Sequence, residues 1–289
     1  MKRLYIYVTI LYMLFSSIPL SVNAQTKRAL VIGIGEQLDP SWGKINGDKD
    51  VPLVLELLKE SGFNKKNIVK LINSQATKYN IVKSFKDLAK IAKTNDIIYV
   101  HFSGHGQRVT DVNGDESDGW DEAWIPYDAY RKYCDHDKGE KHLIDDEIYL
   151  YLSDIKKKIG NKGKILVVVD ACHSGTSSYE NELFDIDAKP ITRGVMDNFF
   201  LPTKTFSLSS KSPERWLTLS ACKSFQYNQE LNNPRVGILT YAIYMLHKKG
   251  RITIKEIEDY VKLNKGPLPQ TPILTGEVNK YKISDILTK

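Results

Sequence analysis

Cysteine is scarce in this chain, which has three among 289 residues. Because the count of Cys134, Cys172 and Cys222 is odd, at least one thiol stays unpaired, which excludes a disulfide framework as the basis of the fold. No apolar run after residue 24 is long enough to span a bilayer. Positive charge is spread along the chain in small lysine clusters, so the sequence predicts no nucleic-acid partner.

The first residues have the pattern of an export signal. Lys2 and Arg3 precede an apolar run from Leu4 to Leu20, and small residues follow as far as Ala24. This predicts a signal peptide over residues 1–24, cleaved between Ala24 and Gln25, and a mature protein that is secreted or periplasmic without a membrane span. The alternative is an uncleaved anchor, which the short apolar run disfavours. Cleavage lowers the formal net charge from +6 to +4, because two basic residues and no acidic ones are removed.

Short runs rich in Val and Ile alternate with amphipathic stretches, which predicts a mostly parallel sheet covered by helices on both faces. Strands are predicted at Arg28 to Ile34, Ile68 to Ile72, Asp96 to Phe102, Lys164 to Asp170 and Trp216 to Ala221. Helices are predicted at Lys49 to Ser61, Tyr79 to Ala92, Asp145 to Lys158, Gly237 to His247 and Ile254 to Leu263. Two long segments without a period, Gly104 to Leu143 and Ser174 to Arg215, are predicted to be functional or flexible loops.

Two of the predicted strands lead into reactive residues, His105 and Cys172. Ligands bind beyond the carboxyl ends of strands in open α/β sheets, so both residues are expected at one site. An imidazole beside a thiol generates the thiolate and later protonates a leaving amine. Glycines flank both residues, and the N–H groups of Gly106 and Cys172 are expected to bind an oxyanion. A buried Cys and a core His are the alternative, which the two similar Gly-flanked motifs disfavour.

At this point the sequence resembles the caspase-like cysteine peptidases (clan CD, C14 type), in particular the metacaspases and their bacterial relatives, from Arg28 to about Glu277. Four motifs carry the resemblance: Tyr99 to Gly106, Asp115 to Glu122, Asp170 to Gly175 and Ser220 to Lys223. It implies a three-layer α/β/α sandwich with a mostly parallel central sheet. It also implies an endopeptidase with a His105–Cys172 dyad that needs no cofactor for its chemistry, usually a monomer. His173 is not expected to be the base, because the base of the family follows the earlier strand.

The domain organisation that follows is a signal peptide over 1–24 and one peptidase domain over 25–289. Within that domain a large portion, about 25–180, is joined to a small portion, about 215–289, by a flexible linker of about 176–214. If the chain cuts itself, exposed basic residues near this linker are the candidate sites. They are Lys189, Arg193, Lys204, Lys211 and Arg215.

Metacaspases have an acidic pocket for Arg or Lys before the scissile bond, and the resemblance places it at Asp50, Ser103 and Asp170. Buried carboxylates are costly unless a cation pairs with them, so a guanidinium or ammonium is a fitting ligand. Two alternatives stay open. Asp50 has the position of a carboxylate at a helix N-terminus, and Asp48 competes for the same role.

Many metacaspases are activated by calcium, and the acidic residues they use resemble Asp121, Asp145 and Asp146. A further acidic ligand of the family, soon after the Cys motif, has no clear match here, since Glu180 is only a neighbour. Carboxylate oxygens suit a hard cation. Solvated carboxylates on a loop and at a helix start are the alternative.

Two other metal sites are alternatives to this pattern. Asp111, Asn113, Asp115 and Glu122 fall at EF-hand loop positions, but the sixth position lacks the required glycine and a strand is expected before the loop. Cys134, His136 and His142 suggest zinc, yet a fourth ligand and a paired-Cys spacing are missing. Neither alternative is favoured.

Two competing functions remain at the level of sequence. One is a catalytically silent caspase-like domain that binds or scaffolds other proteins, since fold does not guarantee activity. The other is a cysteine amidase acting on cell-wall peptides through the same dyad. Retention of His105 and Cys172 together with the acidic pocket residues favours the peptidase.

Overall fold

A computed structural model describes residues 25–172, 191–194, 197–201 and 213–288. The predicted signal peptide therefore lies outside the described residues. So do His173, Glu180 and three of the candidate cleavage residues, Lys189, Lys204 and Lys211. Arg193 and Arg215 lie within the described part of the chain.

The described residues form nine strands. They are β1 (Lys27–Gly33), β2 (Ile68–Ile72), β3 (Ile97–Ser103), β4 (Gly106–Thr110), β5 (Trp120–Trp124), β6 (Leu143–Ile144), β7 (Lys164–Asp170), β8 (Leu217–Ser220) and β9 (Ile273–Gly276). Within the described residues, the main sheet has six strands in the order β2-β1-β3-β7-β8-β9. All pair in parallel except β9, which runs antiparallel to β8.

Helices cover both faces of this sheet. They are α1 (Gly47–Glu60), α2 (Lys78–Ile91), α3 (Asp145–Ile159), α4 (Ile238–Lys248), α5 (Ile254–Asn264) and α6 (Ser284–Leu287). Apolar residues of α1, α4, α5 and α6 share one buried cluster with one face of the strands, and those of α2 and α3 share a second cluster with the other face. The predicted three-layer α/β/α sandwich with a mostly parallel sheet is confirmed.

The helices form where apolar residues recur at helical spacing. In α2, Ile81, Phe85 and Leu88 are buried on one side, while the lysines between them stay accessible. Thr77 caps this helix by accepting from the backbone N–H of Asn80 at 3.2 Å. Predicted and observed element ends differ by at most two residues, which is usual for fraying ends.

The prediction of a loop from Gly104 to Leu143 is wrong, because this segment contains two strands and the start of a third. Strands β4, β5 and β6 form a separate antiparallel sheet. Its short strands carry polar and charged side chains such as Gln107, Arg108 and Glu122, so they lack the apolar runs that reveal the main sheet. Tertiary pairing rather than local pattern determines this region.

Strand β4 also pairs with a piece of the linker. Phe199 donates its backbone N–H to the Arg108 carbonyl at 2.7 Å, and its own carbonyl accepts from Thr110 at 3.0 Å. Linker residues Gly194 and Phe199 therefore bridge to β4, at Gly106 and Val109. Among the helices of the described residues, none combines the length and apolar character that a membrane crossing needs.

Candidate active site

The two predicted reactive residues follow neighbouring strands. Strands β3 and β7 pair in parallel, with Ser103 opposite Asp170. His105 comes two residues after Ser103, and Cys172 two residues after Asp170. The register therefore brings His105 and Cys172 to the same edge of the sheet.

His105 is held by a backbone carbonyl and an aromatic ring. Its Nε2 lies 2.7 Å from the carbonyl oxygen of Gly43, and its ring packs on Trp42 with centroids 5.0 Å apart. A carbonyl only accepts, so Nε2 carries the proton in this arrangement. Nδ1 is buried and has no hydrogen-bond partner among the described residues. The structure thus leaves Nδ1 available as the basic nitrogen.

Burial lowers the pKa of His105 to about 4, although the hydrogen bond to Gly43 raises it in part. The guanidinium of Arg193 adds to the lowering. In the described conformation the imidazole is therefore neutral near pH 7, as a general base has to be.

Cys172 is 1% exposed, and its Sγ donates to the carbonyl oxygen of Gln226 at 3.1 Å. The linker lies directly over it. A methyl carbon built on Gly194 would be 3.0 Å from Sγ and 2.7 Å from Cβ of Cys172. Only a residue without a side chain fits at position 194, and the peptide between Arg193 and Gly194 lies against the thiol.

The carbonyl group of Arg193 occupies the predicted oxyanion position. Its oxygen accepts from the N–H of Cys172 at 2.8 Å and from the N–H of Gly106 at 3.4 Å. Gly106 and Gly194 also form a parallel β-bridge. The two predicted oxyanion donors therefore converge on one carbonyl, which belongs to the chain itself.

The side chain of Arg193 is fully buried among three carboxylates. Its Nη1 lies 2.6 Å from Oδ2 of Asp50 and 3.2 Å from Oδ1 of Asp170, and its Nε lies 2.9 Å from Oε1 of Glu230. Ser103 donates its hydroxyl to Oδ2 of Asp50 at 2.8 Å. The structure thus brings Asp50, Ser103 and Asp170 together around a guanidinium, whereas Asp48 pairs with Lys49 at 3.8 Å.

Burial and the mutual attraction of opposite charges set the pKa values of the groups in this pocket. Burial raises the pKa of Asp50 to about 6, since desolvation and the nearby Asp170 outweigh the attraction of Arg193. Burial acts in the same direction on Asp170, but there Arg193 and hydrogen bonds from Thr240 and Asn228 outweigh it and lower the pKa. The pKa of Arg193 is raised by the three carboxylates despite its burial. A cation is thus what this pocket stabilises.

A chain of buried hydrogen bonds supports the pocket from behind. His101 Nε2 lies 2.8 Å from the Ser103 hydroxyl, and the Tyr99 hydroxyl lies 3.0 Å from His101 Nδ1. Because the Ser103 proton goes to Asp50, the network assigns an Nε2–H donor to His101 and a donating hydroxyl to Tyr99. Burial lowers the pKa of His101 to about 4, so it stays neutral.

Sequence reasoning missed four groups of this site. The carbonyls of Gly43 and Gln226 are backbone atoms, for which no side-chain pattern exists. Glu230 stands in an irregular stretch before α4, so no period marks it. Gly237 is a fourth, because its N–H donates to Oδ1 of Asp50 at 2.9 Å. A methyl carbon on Gly237 would be 2.3 Å from Oδ2 of Asp170, so the pocket wall requires glycine there.

The acidic loop between β4 and β5 gathers three carboxylates. Asp111, Asp115 and Asp121 bring oxygens within 4.8 Å of one another. Asn113 donates Nδ2 to Oδ2 of Asp146 at 2.5 Å, which joins the start of α3 to this loop. Of the predicted calcium residues, Asp121 lies in the cluster and Asp146 beside it, while Asp145 lines a neighbouring cavity with Glu122 and Trp124.

The surroundings of the alternative metal ligands differ from those that an EF-hand or a zinc site provides. Strands β4 and β5 flank the acidic loop where an EF-hand needs helices. His142 hydrogen-bonds Gln107 through Nε2 at 3.0 Å and packs on Phe199. Across the described residues, the carboxylates of Asp111, Asp115 and Asp121 are the one group of metal-type ligands that converges, and Cys134, His136 and His142 are not brought together.

Known proteins match this chain in sequence and in fold. The profile of the family described as "Metacaspase, peptidase C14 domain" matches residues 27–178. Metacaspase-1A of Aspergillus oryzae is 33% identical over 161 residues, which cover 53% of this chain and 35% of that protein. Metacaspase-1B of Aspergillus fumigatus is 35% identical over 161 residues, covering 52% and 36%. The match spans about a third of the length of these relatives.

Two solved structures share the fold. A protein of Geobacter sulfurreducens superposes with a TM-score of 0.62 at 24% identity, covering 86% of this chain and 92% of its own. Caspase-1 of Spodoptera frugiperda superposes with a TM-score of 0.56 at 13% identity, covering 88% and 89%. The family profile covers more than half of the chain, including both strand-end motifs. The chain therefore belongs to the metacaspase family of C14 peptidase domains.

Proposed function

We propose that this protein is a cysteine endopeptidase that cleaves after Arg or Lys through Cys172 and His105. The observation that carries the proposal is the placement of Arg193. Its carbonyl oxygen is held by the N–H groups of Gly106 and Cys172, and its side chain by Asp50, Asp170 and Glu230. This is how a substrate residue before a scissile bond has to be bound.

The chemistry follows from these positions. The Cys172 sulfur, after giving its proton to Nδ1 of His105, attacks the carbonyl carbon of the bound Arg residue. The oxygen becomes an oxyanion and is stabilised by the two N–H groups. The C–N bond breaks when His105 returns the proton to the leaving amine. Water, deprotonated by His105, then hydrolyses the thioester and releases the thiol. No cofactor takes part in these steps.

The pocket predicts a preference of Arg over Lys. A guanidinium uses Nη1 for Asp50 and Asp170 and Nε for Glu230. An ammonium is a single point of charge, and it cannot donate from two separate atoms as a guanidinium does. An acidic residue before the scissile bond would add charge to three buried carboxylates and is excluded.

Self-processing is part of the same proposal, with Arg193–Gly194 as the first bond cut. Among the candidate residues, Arg193 alone within the described part of the chain has its carbonyl on the oxyanion donors. Arg215 instead hydrogen-bonds the side chain of Asn161 at 2.7 Å on the exposed surface. Until the bond is cut or the linker leaves, Arg193 excludes other substrates from the pocket.

Calcium acts as an activator at the acidic loop in this proposal. Asp111, Asp115 and Asp121 fit a hard cation, because they supply converging carboxylate oxygens. Asp145 and Asp146 at the start of α3 would complete the set of oxygen donors. Bound calcium would supply charge neutralisation of the loop. The loop starts at Asp111, where β4 ends, and β4 starts at Gly106 and pairs with linker residue Phe199. A change in the conformation of the loop would therefore be transmitted through β4 to the oxyanion donor Gly106 and to the linker.

The proposed activity is tested by fluorophore release from peptides that differ only in an Arg, Lys or Asp before the reporter bond. The purified protein and its Cys172→Ala variant are compared, each with calcium and with a chelator. We expect release from Arg and Lys peptides that the variant lacks. A folded protein that cleaves none of them would support a silent binding domain, and hydrolysis of cell-wall peptides alone would support the amidase.

Export and a monomeric state complete the proposal. Export is supported by the basic and apolar pattern of residues 1–24. N-terminal sequencing of the protein from the periplasm or medium is expected to begin at Gln25. Recovery from membranes with residues 1–24 retained would contradict it. Light scattering on a size-exclusion column tests the monomer.

A further inference from the structure

Cys222 lies one strand away from the nucleophile, two residues beyond the end of β8. Cys172 follows β7 and Cys222 follows β8, and these parallel neighbours pair with Val169 opposite Ser220. The pairing continues past the strand end, since Ala221 donates its N–H to the Val169 carbonyl at 3.0 Å. Continued by two residues, this register sets Cys222 opposite Ala171, the residue before Cys172. Neighbouring strands lie about 4.8 Å apart and successive residues about 3.3 Å, so the Cα atoms of Cys172 and Cys222 are expected about 6 Å apart. Disulfide-bonded cysteines have Cα atoms about 4.4–6.8 Å apart.

The two thiols also meet through a shared acceptor. Sγ of Cys172 and Sγ of Cys222 lie 3.1 Å and 3.4 Å from the same carbonyl oxygen, that of Gln226. Both belong to one buried cluster with Tyr227 and Leu268. A hydrogen bond with the Cys172 thiol, followed by burial, raises the pKa of Cys222. Cys222 therefore stays a protonated thiol, whereas Cys172 is the one that His105 can deprotonate.

We propose that Cys172 and Cys222 form a reversible disulfide under oxidising conditions, which switches the nucleophile off and protects it from irreversible oxidation. The oxidant is a peroxide. The Cys172 thiolate attacks one peroxide oxygen, which forms a sulfenic acid and releases hydroxide. The Cys222 sulfur then displaces the hydroxyl group of that sulfenic acid, the S–S bond forms, and the displaced group leaves as water with the Cys222 proton. Two electrons have passed from the thiol pair to the peroxide.

The linker controls access to this chemistry. Gly194 lies against Sγ and Cβ of Cys172, and the thiol is 1% exposed. Peroxide thus reaches Cys172 more readily once Arg193 and Gly194 have left the site. The consequence for peptidase activity rests on the proposed function, whereas formation of the bond does not.

The test is peptide mapping by mass spectrometry of the full-length protein treated with graded hydrogen peroxide and then blocked with N-ethylmaleimide under denaturing conditions. We expect a cross-linked peptide that contains Cys172 and Cys222, and dithiothreitol should release it. Where the protein is active, dithiothreitol should also restore the activity lost to peroxide. If Cys172 and Cys222 are instead found singly modified at every peroxide concentration, the proposal is wrong.

Two variants separate the roles of the thiols. In Cys222→Ala, peroxide should carry Cys172 on to the sulfinic acid, which dithiothreitol does not reverse. Cys134→Ala is the matched control and should behave as the unaltered protein, because Cys134 lies in a different loop and hydrogen-bonds through its backbone to Asp137. Equal recovery of all three proteins would overturn the protective role. A Cys172–Cys222 cross-link in a protein that has no peptidase activity would support this inference and contradict the proposed function.

Discussion

Asn46 holds both carboxylate oxygens of Glu230, by its backbone N–H at 2.7 Å and by its side-chain amide at 2.5 Å. These two hydrogen bonds fix the orientation of the carboxylate, whose Oε1 lies 2.9 Å from the Nε of Arg193. Glu230 is thus placed to distinguish a guanidinium from an ammonium, because only a guanidinium has an Nε–H donor at the position that faces this carboxylate.

This arrangement predicts that Glu230→Gln reduces cleavage after Arg more than cleavage after Lys. A hydrogen bond between charged groups is worth about 2 kcal/mol, equivalent to about thirtyfold in kcat/KM. We expect that loss for Arg peptides and a much smaller one for Lys peptides, measured as the ratio of the two kcat/KM values. Asp50→Asn is the comparison, since it removes the charge that faces both cations. An unchanged Arg-to-Lys ratio in Glu230→Gln would contradict the assigned role.

A second prediction concerns the linker. Arg193→Gln should abolish cleavage between residues 193 and 194, and Arg193→Lys should retain it more slowly, as followed by gel electrophoresis and intact mass. The matched control is Arg215→Gln, which removes an Arg bonded to Asn161 on the surface. Arg193→Gln also leaves three buried carboxylates without their cation, so its free energy of unfolding should fall by about 3–5 kcal/mol. First cleavage elsewhere in the unaltered protein would refute the assignment.

The pKa of His105 makes a prediction about stability and pH. Its pKa falls from 6.5 to about 4 on folding, through burial. Between these values the unfolded chain binds a proton that the folded chain does not, so stability is fully present above pH 6.5 and is lost as the pH falls towards 4. Urea denaturation should compare Cys172→Ala with Cys172→Ala/His105→Asn at pH 7 and pH 5. The free energy of unfolding of the protein that retains His105, relative to that of the double variant, should be lower by roughly 2 kcal/mol at pH 5 than at pH 7. Asp50 contributes equally to the pH dependence of both proteins and so cancels in the comparison. If the difference between their free energies of unfolding is the same at pH 7 and pH 5, His105 is not a buried, neutral imidazole.

The acidic loop gives a prediction about metal binding. Calcium should raise the melting temperature of the inactive Cys172→Ala protein, and Asp121→Asn should remove this response. Asp118→Asn is the matched control, because Asp118 lies in the same loop but pairs with Arg108 at 3.3 Å and is half exposed. Loss of the response in both variants would indicate a general charge effect instead of a site at Asp121.

Much of the fold was predictable, because β1, β3 and β7 are buried on both faces and carry continuous Val and Ile runs that no helix period explains. Strands β4 and β5 were not, since Gln107, Arg108 and Glu122 interrupt any apolar run and the two strands form by pairing with each other.

The site residues also differ in how well the sequence predicts them. His105 and Cys172 follow buried strands rich in Val and Ile, and Asp170 ends one of these strands, so their motifs locate them. Glu230 and Gly237 reach the pocket through an irregular segment whose path depends on tertiary contacts. Arg193 was one of five candidate cleavage residues, and nothing in the linker sequence separates it from the others. Its distinction is spatial, because Gly194 is the neighbour that lets the peptide lie against Cys172.

The peptide bond between Arg193 and Gly194 and the sulfur of Cys172 belong to the same molecule. Under the proposed function, maturation is then a first-order event whose half-time does not change on dilution, unlike activation by one molecule cutting another. The linker also acts as a tethered competitor with an effective concentration set by the chain itself. Under the same proposal, one protein molecule carries both the nucleophile and the bond that it cuts in its own maturation.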